Sequence, residues 1–282
     1  MKILVTGYSG QLGYDVVKRL NILNIECIGT TRKEFDLTDK ISTIKFIKNY
    51  NPDVVIHCAA YTDVDKAEED KDLCYKVNVL GTRYIAQACK DIDAKMVYIS
   101  TDYIFDGKGE VPFEITDAPN PINYYGQTKY EGELEVKKQI DKHFIIRISW
   151  VFGLKGNNFV KTMLRLGKEK KELNVISDQI GSPTYTHDLA KLIADIIGTE
   201  KYGTYHATNE GYCSWYEFAC EIFRISNIDT LVNPIKTEEY PTKAKRPRNS
   251  RLSKKSLDLN RLNRLPDWHD ALRRYLKSLD LN

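Results

Sequence analysis

The chain has 282 residues, 42% hydrophobic and 29% charged, enough to bury a core as one large domain or two unequal ones. Its 42 basic and 39 acidic residues nearly cancel to a net charge of +3, which excludes a general pull toward nucleic acid or a membrane surface. The opening "MKILVTG" is too short an apolar run for a signal peptide, and no stretch approaches the ~18 apolar residues of a spanning helix.

A cytoplasmic protein is therefore expected. The six cysteines show no C-x-x-C pairing and read as reduced, mostly buried thiols. Five scattered histidines form neither a metal-ligand pattern nor a triad, so neither metal nor histidine-based nucleophilic chemistry is expected.

"KILVT" (2–6) opens the chain as a strand rich in apolar residues, the composition of a strand buried on both faces. "TGYSGQLG" follows, with Gly7, Gly10 and Gly13 at the turn into a helix over 11–23. Glycines there let a pyrophosphate approach the free N–H groups of the helix start. The spacing departs from G-x-G-x-x-G by one residue.

The second strand, "ECIGTT" (26–31), offers Thr30 and Thr31 at its end, with Arg32 directly after. A NAD-selective site usually places a carboxylate here for the ribose hydroxyls. A guanidinium suits a 2'-phosphate better, so NADPH is the expected cofactor, with NADH possible. In "FDLTD" (35–39) Asp36 and Leu37 are candidates for the adenine, while Asp36 or Thr38 serves equally well as the cap of a helix over 40–49.

"DVVIHC" (53–58) is the third strand, and Ala59 and Ala60 after it are small enough for a dinucleotide to lie close. A helical stretch over roughly 65–91 leads to "KMVYIS" (95–100), which delivers Ser100, Thr101 and Asp102 to the ligand edge of the sheet. In the helix over 122–139, Tyr125 alone among the three neighbouring tyrosines has a cation four residues on, Lys129. An adjacent ammonium is expected to lower the phenol's pKa from ~10 and make Tyr125 an acid/base near neutrality.

"FIIRIS" (144–149) is a fifth strand. Beyond it the rhythm loosens into a helix (157–167), a strand (173–177), a helix (187–197), "YGTYHATN" and a helix (214–226). An α/β fold is expected: a doubly wound parallel Rossmann-type sheet with a smaller mixed α/β C-terminal domain. Residues 1–150 form the dinucleotide-binding domain on this reading, parts of 180–205 return to it, and 151–282 bind mainly substrate. "KAKRPRNSRLSKK" (243–255) carries seven basic residues and no acid. It lacks an interleaved aromatic for base stacking, so a substrate diphosphate, with Arg246 and Arg248 as donors, explains it better than nucleic acid.

"TGYSGQLG", Asn78, "YISTDYIFDG", Tyr125-Gly126-Gln127-Thr128-Lys129 and "RISWVFG" together resemble the extended short-chain dehydrogenase/reductase superfamily. "HCAAYTDVDKAE", "STDYIFDG", "GNNFVKTM", "DQIGSPT" and "KRPRNSRL" resemble its dTDP-4-dehydrorhamnose reductases, over nearly the whole chain. The resemblance implies that Thr101, Tyr125 and Lys129 are catalytic, with Tyr125 protonating the C4 oxygen of a sugar nucleotide as hydride arrives. It implies cofactor contacts from Gly10, Gln11, Leu12, Asp36, Leu37, Ala59, Ala60, Tyr61 and Lys129, and support of the lysine by Asn78.

For substrate the resemblance implies Thr101 and Asp102, and packing of Trp150 against the sugar, though a tryptophan in a domain hinge fits the sequence too. Some members dimerise around a divalent metal. The matching positions here are Asp15, His187 and Ser278, a single carboxylate, so no metal site is expected, and monomer or homodimer remain open. A dehydratase or epimerase is the nearest rival, but dehydratases place Asp-Glu where this chain has Asp102-Tyr103. A non-catalytic cofactor-binding subunit is opposed by the intact Thr101, Tyr125 and Lys129.

Overall fold

The computed structural model describes residues 1–279. Its first half alternates β1 (Lys2–Thr6), α1 (Gln11–Ile22), β2 (Glu26–Thr30), α2 (Lys40–Tyr50), β3 (Val54–His57), α3 (Val64–Ala67), α4 (Lys71–Tyr75), α5 (Thr82–Asp91), β4 (Lys95–Thr101), α6 (Tyr124–Gln139) and β5 (His143–Ile148). There follow β6 (Val151–Phe152), α7 (Phe159–Glu169), β7 (Glu172–Ile176), β8 (Ile180–Gly181), β9 (Thr184–Tyr185), α8 (Thr186–Ile196), β10 (Gly203–His206), β11 (Cys213–Ser214), α9 (Trp215–Ile225), β12 (Leu231–Ile235), β13 (Asn249–Ser250), α10 (Lys255–Leu259) and α11 (Trp268–Leu279).

Six strands form one sheet in the order β2-β1-β3-β4-β5-β10, every neighbouring pair parallel. The two-residue side-chain period divides β1 between two cores. Ile3 and Val5 join the cluster with α1 and α8, including Val16, Leu20, Leu189 and Ile193. Leu4 joins Val55, Met96, Tyr98, Ile85 and Val136 on the opposite face. Helices on both faces explain why these strands are apolar almost throughout. From β1 the chain goes to β2 on one side and returns to β3 on the other, so the carboxyl ends of β1 and β3 open a crevice at the switch point.

A third core gathers Phe152, Val160, Phe218, Trp268 and Tyr275 from β6, α7, α9 and α11. The expected helix over 65–91 is broken into α3, α4, a π-helical turn at Lys76–Gly81, and α5. Asp63 caps α3 by accepting from the Lys66 N–H. The wide turn carries the buried Asn78, consistent with π-turns marking functional positions.

α6 is fixed unusually firmly. Asn123 caps it by accepting from the Gly126 N–H at 2.8 Å. A Cβ at Gly126 would lie 2.1 Å from the Tyr103 carbonyl oxygen, so only glycine lets the helix approach the end of β4 this closely. The Arg147 guanidinium of β5 grips the Glu133 carboxylate of α6 at 2.9 and 2.8 Å, both fully buried. None of the helices among the described residues is long and apolar enough to cross a membrane.

Candidate active site

A cavity of about 840 Å³ lies beyond the carboxyl ends of β1, β3, β4 and β5, within the size range of ligand sites. Of the residues singled out in the sequence, its wall contains Gly7, Gly10, Gln11, Leu12, Gly13, Thr31, Arg32, Asp36, Leu37, Ala59, Ala60, Thr101, Asp102, Tyr125, Lys129 and Trp150. Tyr61, Asn78 and Arg246 are not part of that wall.

At the switch point Gly7 has φ +72°, and a Cβ there would lie 2.7 Å from the Ala59 N. Gly10 is the N-cap of α1 and no side chain caps its first turn, leaving those N–H groups to a ligand. At the far end of the cleft Ser100 Oγ is buried without a hydrogen-bond partner, beside the other lining hydroxyls. These features fit an elongated anionic dinucleotide.

At the end of β2, Thr31 and Arg32 line the cavity. Asp36 Oδ1 accepts from the Thr38 N–H and hydroxyl at 2.8 and 2.9 Å. The cap of α2 is neither of the residues expected: Asp39 accepts from the Ser42 N–H at 3.1 Å.

A buried polar chain links the switch point to α6. The Ala59 N–H donates to Thr6 Oγ1 at 3.2 Å, and Thr6 Oγ1 lies 2.8 Å from His57 Nδ1. His57 Nε2 lies 3.2 Å from Thr82 Oγ1, which donates to the Asn78 carbonyl at 2.7 Å. That last bond assigns Nε2 as the protonated nitrogen and leaves Nδ1 to accept from Thr6. Burial, with the nearby Lys129 adding to it, holds His57 down to about 3, so it stays neutral.

Asn78 Oδ1 accepts from the Tyr61 N–H at 2.8 Å, and its Nδ2 donates to the Tyr61 carbonyl at 3.2 Å and to Thr128 Oγ1 at 3.0 Å. The asparagine thus ties the loop after β3 to the residue preceding Lys129. The Tyr61 ring packs with Ala67, Cys74 and Val77.

Tyr125 and Lys129, one helical turn apart, both face the cavity, as their offset predicts. The expected electrostatics are reversed. Burial pushes the Tyr125 phenol up and the Asp102 charge raises it further, with the Thr101 hydroxyl acting the other way. Lys129 does not offset this, because its Nζ sits 4.1 Å over the Tyr98 ring, and burial pulls the ammonium itself down to about 7. The sequence shows the spacing of the pair but not the dry surroundings that dominate both groups.

Asp102 accepts from the Thr101 hydroxyl at 3.0 Å. Burial raises its carboxyl to about 6, against the Ser250 and Thr101 hydroxyls. A carboxyl raised in the folded state contributes stability below its unfolded value of ~3.9 and loses it as pH rises through about 6, a loss of about 3 kcal/mol above neutrality. Thermal melts of Asp102→Asn and wild type should therefore separate at pH 8, the variant being the more stable, and converge near pH 4. Equal separation at both pH values contradicts the assignment.

Trp150 lines the cavity at φ +49°, a sparsely populated conformation for a bulky residue. Its ring stacks on Trp215 at 3.7 Å, and Trp215 lines the cavity too. Trp215 is a wall residue that sequence reasoning misses, since it opens an ordinary amphipathic helix far from any motif. Tyr103, edge-on to Tyr125 at 5.8 Å, is another.

Four of the seven basic residues of the 243–255 segment pair with acidic side chains. Arg246 holds Asp65 at 3.2 and 2.5 Å, Arg248 pairs with Glu238 and Asp178, Lys243 with Glu69, and Lys255 with Glu114 at 2.7 Å. The cluster expected to bind a diphosphate is thus largely engaged in ion pairs, and its arginines stand outside the cavity wall. Asp15 accepts from the Thr186 hydroxyl. Among the described residues no group of three or more His, Cys, Asp or Glu is placed to hold a metal ion.

A parallel Rossmann sheet, a glycine loop opening α1 and a Tyr–Lys pair in one long cleft define an NAD(P)H-dependent oxidoreductase of the short-chain dehydrogenase/reductase type. Comparison narrows the class. A family profile described as RmlD substrate binding domain matches residues 1–281. The spore coat polysaccharide biosynthesis protein SpsK of Bacillus subtilis is 42% identical, covering 98% of this chain and 97% of its own. The crystal structure of a dTDP-4-dehydrorhamnose reductase from Clostridium acetobutylicum is 46% identical with a TM-score of 0.97, covering 99% of this chain and all of its own. That of the Bacillus anthracis dTDP-4-dehydrorhamnose reductase, in complex with NADP, is 44% identical with a TM-score of 0.96 and the same coverage. The chain belongs to the dTDP-4-dehydrorhamnose reductase family.

Proposed function

We propose that this protein reduces the C4 ketone of dTDP-4-dehydro-L-rhamnose to give dTDP-L-rhamnose in the cytoplasm, with NADPH as the preferred reductant and NADH as a weaker one. The observation that carries this reading is the meeting of Thr101, Tyr125 and Lys129 in one wall of a cavity whose other end is the glycine loop.

Bound NADPH supplies the hydride. Gly7, Gly10, Gln11, Leu12 and Gly13 take its pyrophosphate, Asp36 and Leu37 its adenine, and Ala59 and Ala60 its middle. Tyr125 holds the ketone oxygen and delivers its proton there as the C–H bond forms at C4, beside Thr101, whose own hydrogen goes to Asp102. A phenol whose pKa is raised keeps its proton at neutral pH, the state a donor requires. Lys129, titrating at about 7, holds the nicotinamide ribose and can exchange a proton near neutrality. Trp150, backed by Trp215, packs the sugar, and Asp102 orients Thr101. Tyr103 after Asp102, in place of a second carboxylate, supports reduction over elimination.

The test is stoichiometry and product. Purified protein given NADPH and dTDP-4-dehydro-L-rhamnose should oxidise one NADPH per sugar and yield dTDP-L-rhamnose. An eliminated or epimerised product without net NADPH oxidation counts against the reading.

A further inference from the structure

The end of β2 contains an anion already bound in place. Glu34 Oε2 accepts from the Thr31 backbone N–H at 2.6 Å and from the Thr31 hydroxyl at 2.8 Å, so two donors converge on one carboxylate oxygen. Those bonds, led by the backbone N–H, hold the Glu34 carboxyl below the usual carboxylate range. Thr31 and its neighbour Arg32 line the cavity at the strand end where a Rossmann site meets the adenosine ribose. Glu34 is exposed, free to leave this position, and stands beside the exposed Arg32 and Lys33.

We infer that Glu34 is the residue that limits the preference for a 2'-phosphate: its carboxylate occupies the Thr31 donors that a 2'-phosphate needs, and must be displaced when one binds. This inference rests on the dinucleotide reading of the cleft and deepens it. A ribose with free hydroxyls carries no charge to compete with Glu34, so a non-phosphorylated cofactor binds with the latch closed. A 2'-phosphate takes Thr31 and the adjacent cations but must expel a like charge. Arg32 and Glu34 thus act in opposite directions on the same choice.

The bonds also form a local turn, in which the Lys33 N–H donates to Thr31 Oγ1 at 3.2 Å. Glu34→Gln separates the two roles, because glutamine keeps an acceptor for the Thr31 N–H and loses the charge. Removing a unit charge about 4 Å from a phosphate in water-like surroundings is worth roughly five-fold or more in affinity. Calorimetric titration of wild type, Glu34→Gln and Arg32→Ala with NADPH, NADH and 2',5'-ADP is the experiment.

The inference predicts that Glu34→Gln binds NADPH and 2',5'-ADP roughly five- to thirty-fold more tightly, with NADH within two-fold and an unchanged Tm. Arg32→Ala should weaken the two 2'-phosphorylated ligands only. Equal changes for NADPH and NADH in Glu34→Gln, or none in either, overturn the role of Glu34 while leaving the cofactor site intact. Wild type that binds neither dinucleotide overturns the cofactor reading and the latch with it.

Discussion

Tyr125→Phe is expected to lower kcat by about 10²- to 10⁴-fold, the usual contribution of a positioned proton donor, while NADPH affinity stays within two-fold. The phenol keeps its proton throughout the neutral range, because burial and the Asp102 charge both oppose its ionisation. Thr101 gives its hydrogen to Asp102, so it offers no competing proton. Removing the phenol oxygen therefore takes away the proton source and leaves the fold anchored through Asn123, Gly126 and the Glu133–Arg147 pair. Steady-state kinetics with a parallel binding titration separate the loss of chemistry from a loss of binding.

Lys129→Met is expected to abolish most activity and at the same time raise stability. A lysine whose folded pKa is depressed to about 7 contributes stability above its unfolded value of ~10.4 and loses it as pH falls toward the folded value. At neutral pH and below, the loss is on the order of 4 kcal/mol, since the ammonium must be either discharged or buried. Methionine fills the same space over the Tyr98 ring without that cost. The midpoint of thermal unfolding should rise by several degrees at pH 6.5, and the gap from wild type should close as pH approaches 10. A variant less stable than wild type at every pH contradicts the placement of Lys129 as a strained functional group. Such an exchange of stability for function is common at active sites.

Much of the cofactor half is legible in the sequence because it depends on local rules. Three glycines after an apolar strand, and Tyr125 four residues before Lys129, are short-range patterns that survive folding unchanged. Strands β1, β3, β4 and β5 announce themselves by mostly apolar runs, as strands covered on both faces must. What depends on distant partners is not legible. The ion pair of Arg246 with Asp65 spans residues far apart in sequence, so a run of bases read alone resembles an anion site. Trp215 reaches the cavity stacked on Trp150, itself held at positive φ, a contact between residues far apart in sequence. The direction of the Tyr125 shift fails for the same reason: adjacency to a cation can be read from spacing, whereas desolvation is a property of the packed site. The helix expected over 65–91 stops at Ala67, resumes at Lys71 and widens into the π-turn that carries Asn78, details that helical periodicity does not register.

In the proposed reaction hydride goes from NADPH to C4 of the sugar while Tyr125 supplies the proton to its oxygen. One measurement addresses it directly: a turnover of wild type with dTDP-4-dehydro-L-rhamnose and NADPH deuterated at the transferred position, with the product examined by NMR. A single deuterium at C4 of dTDP-L-rhamnose is the expected result. Deuterium at any other carbon, or a product without deuterium, contradicts it.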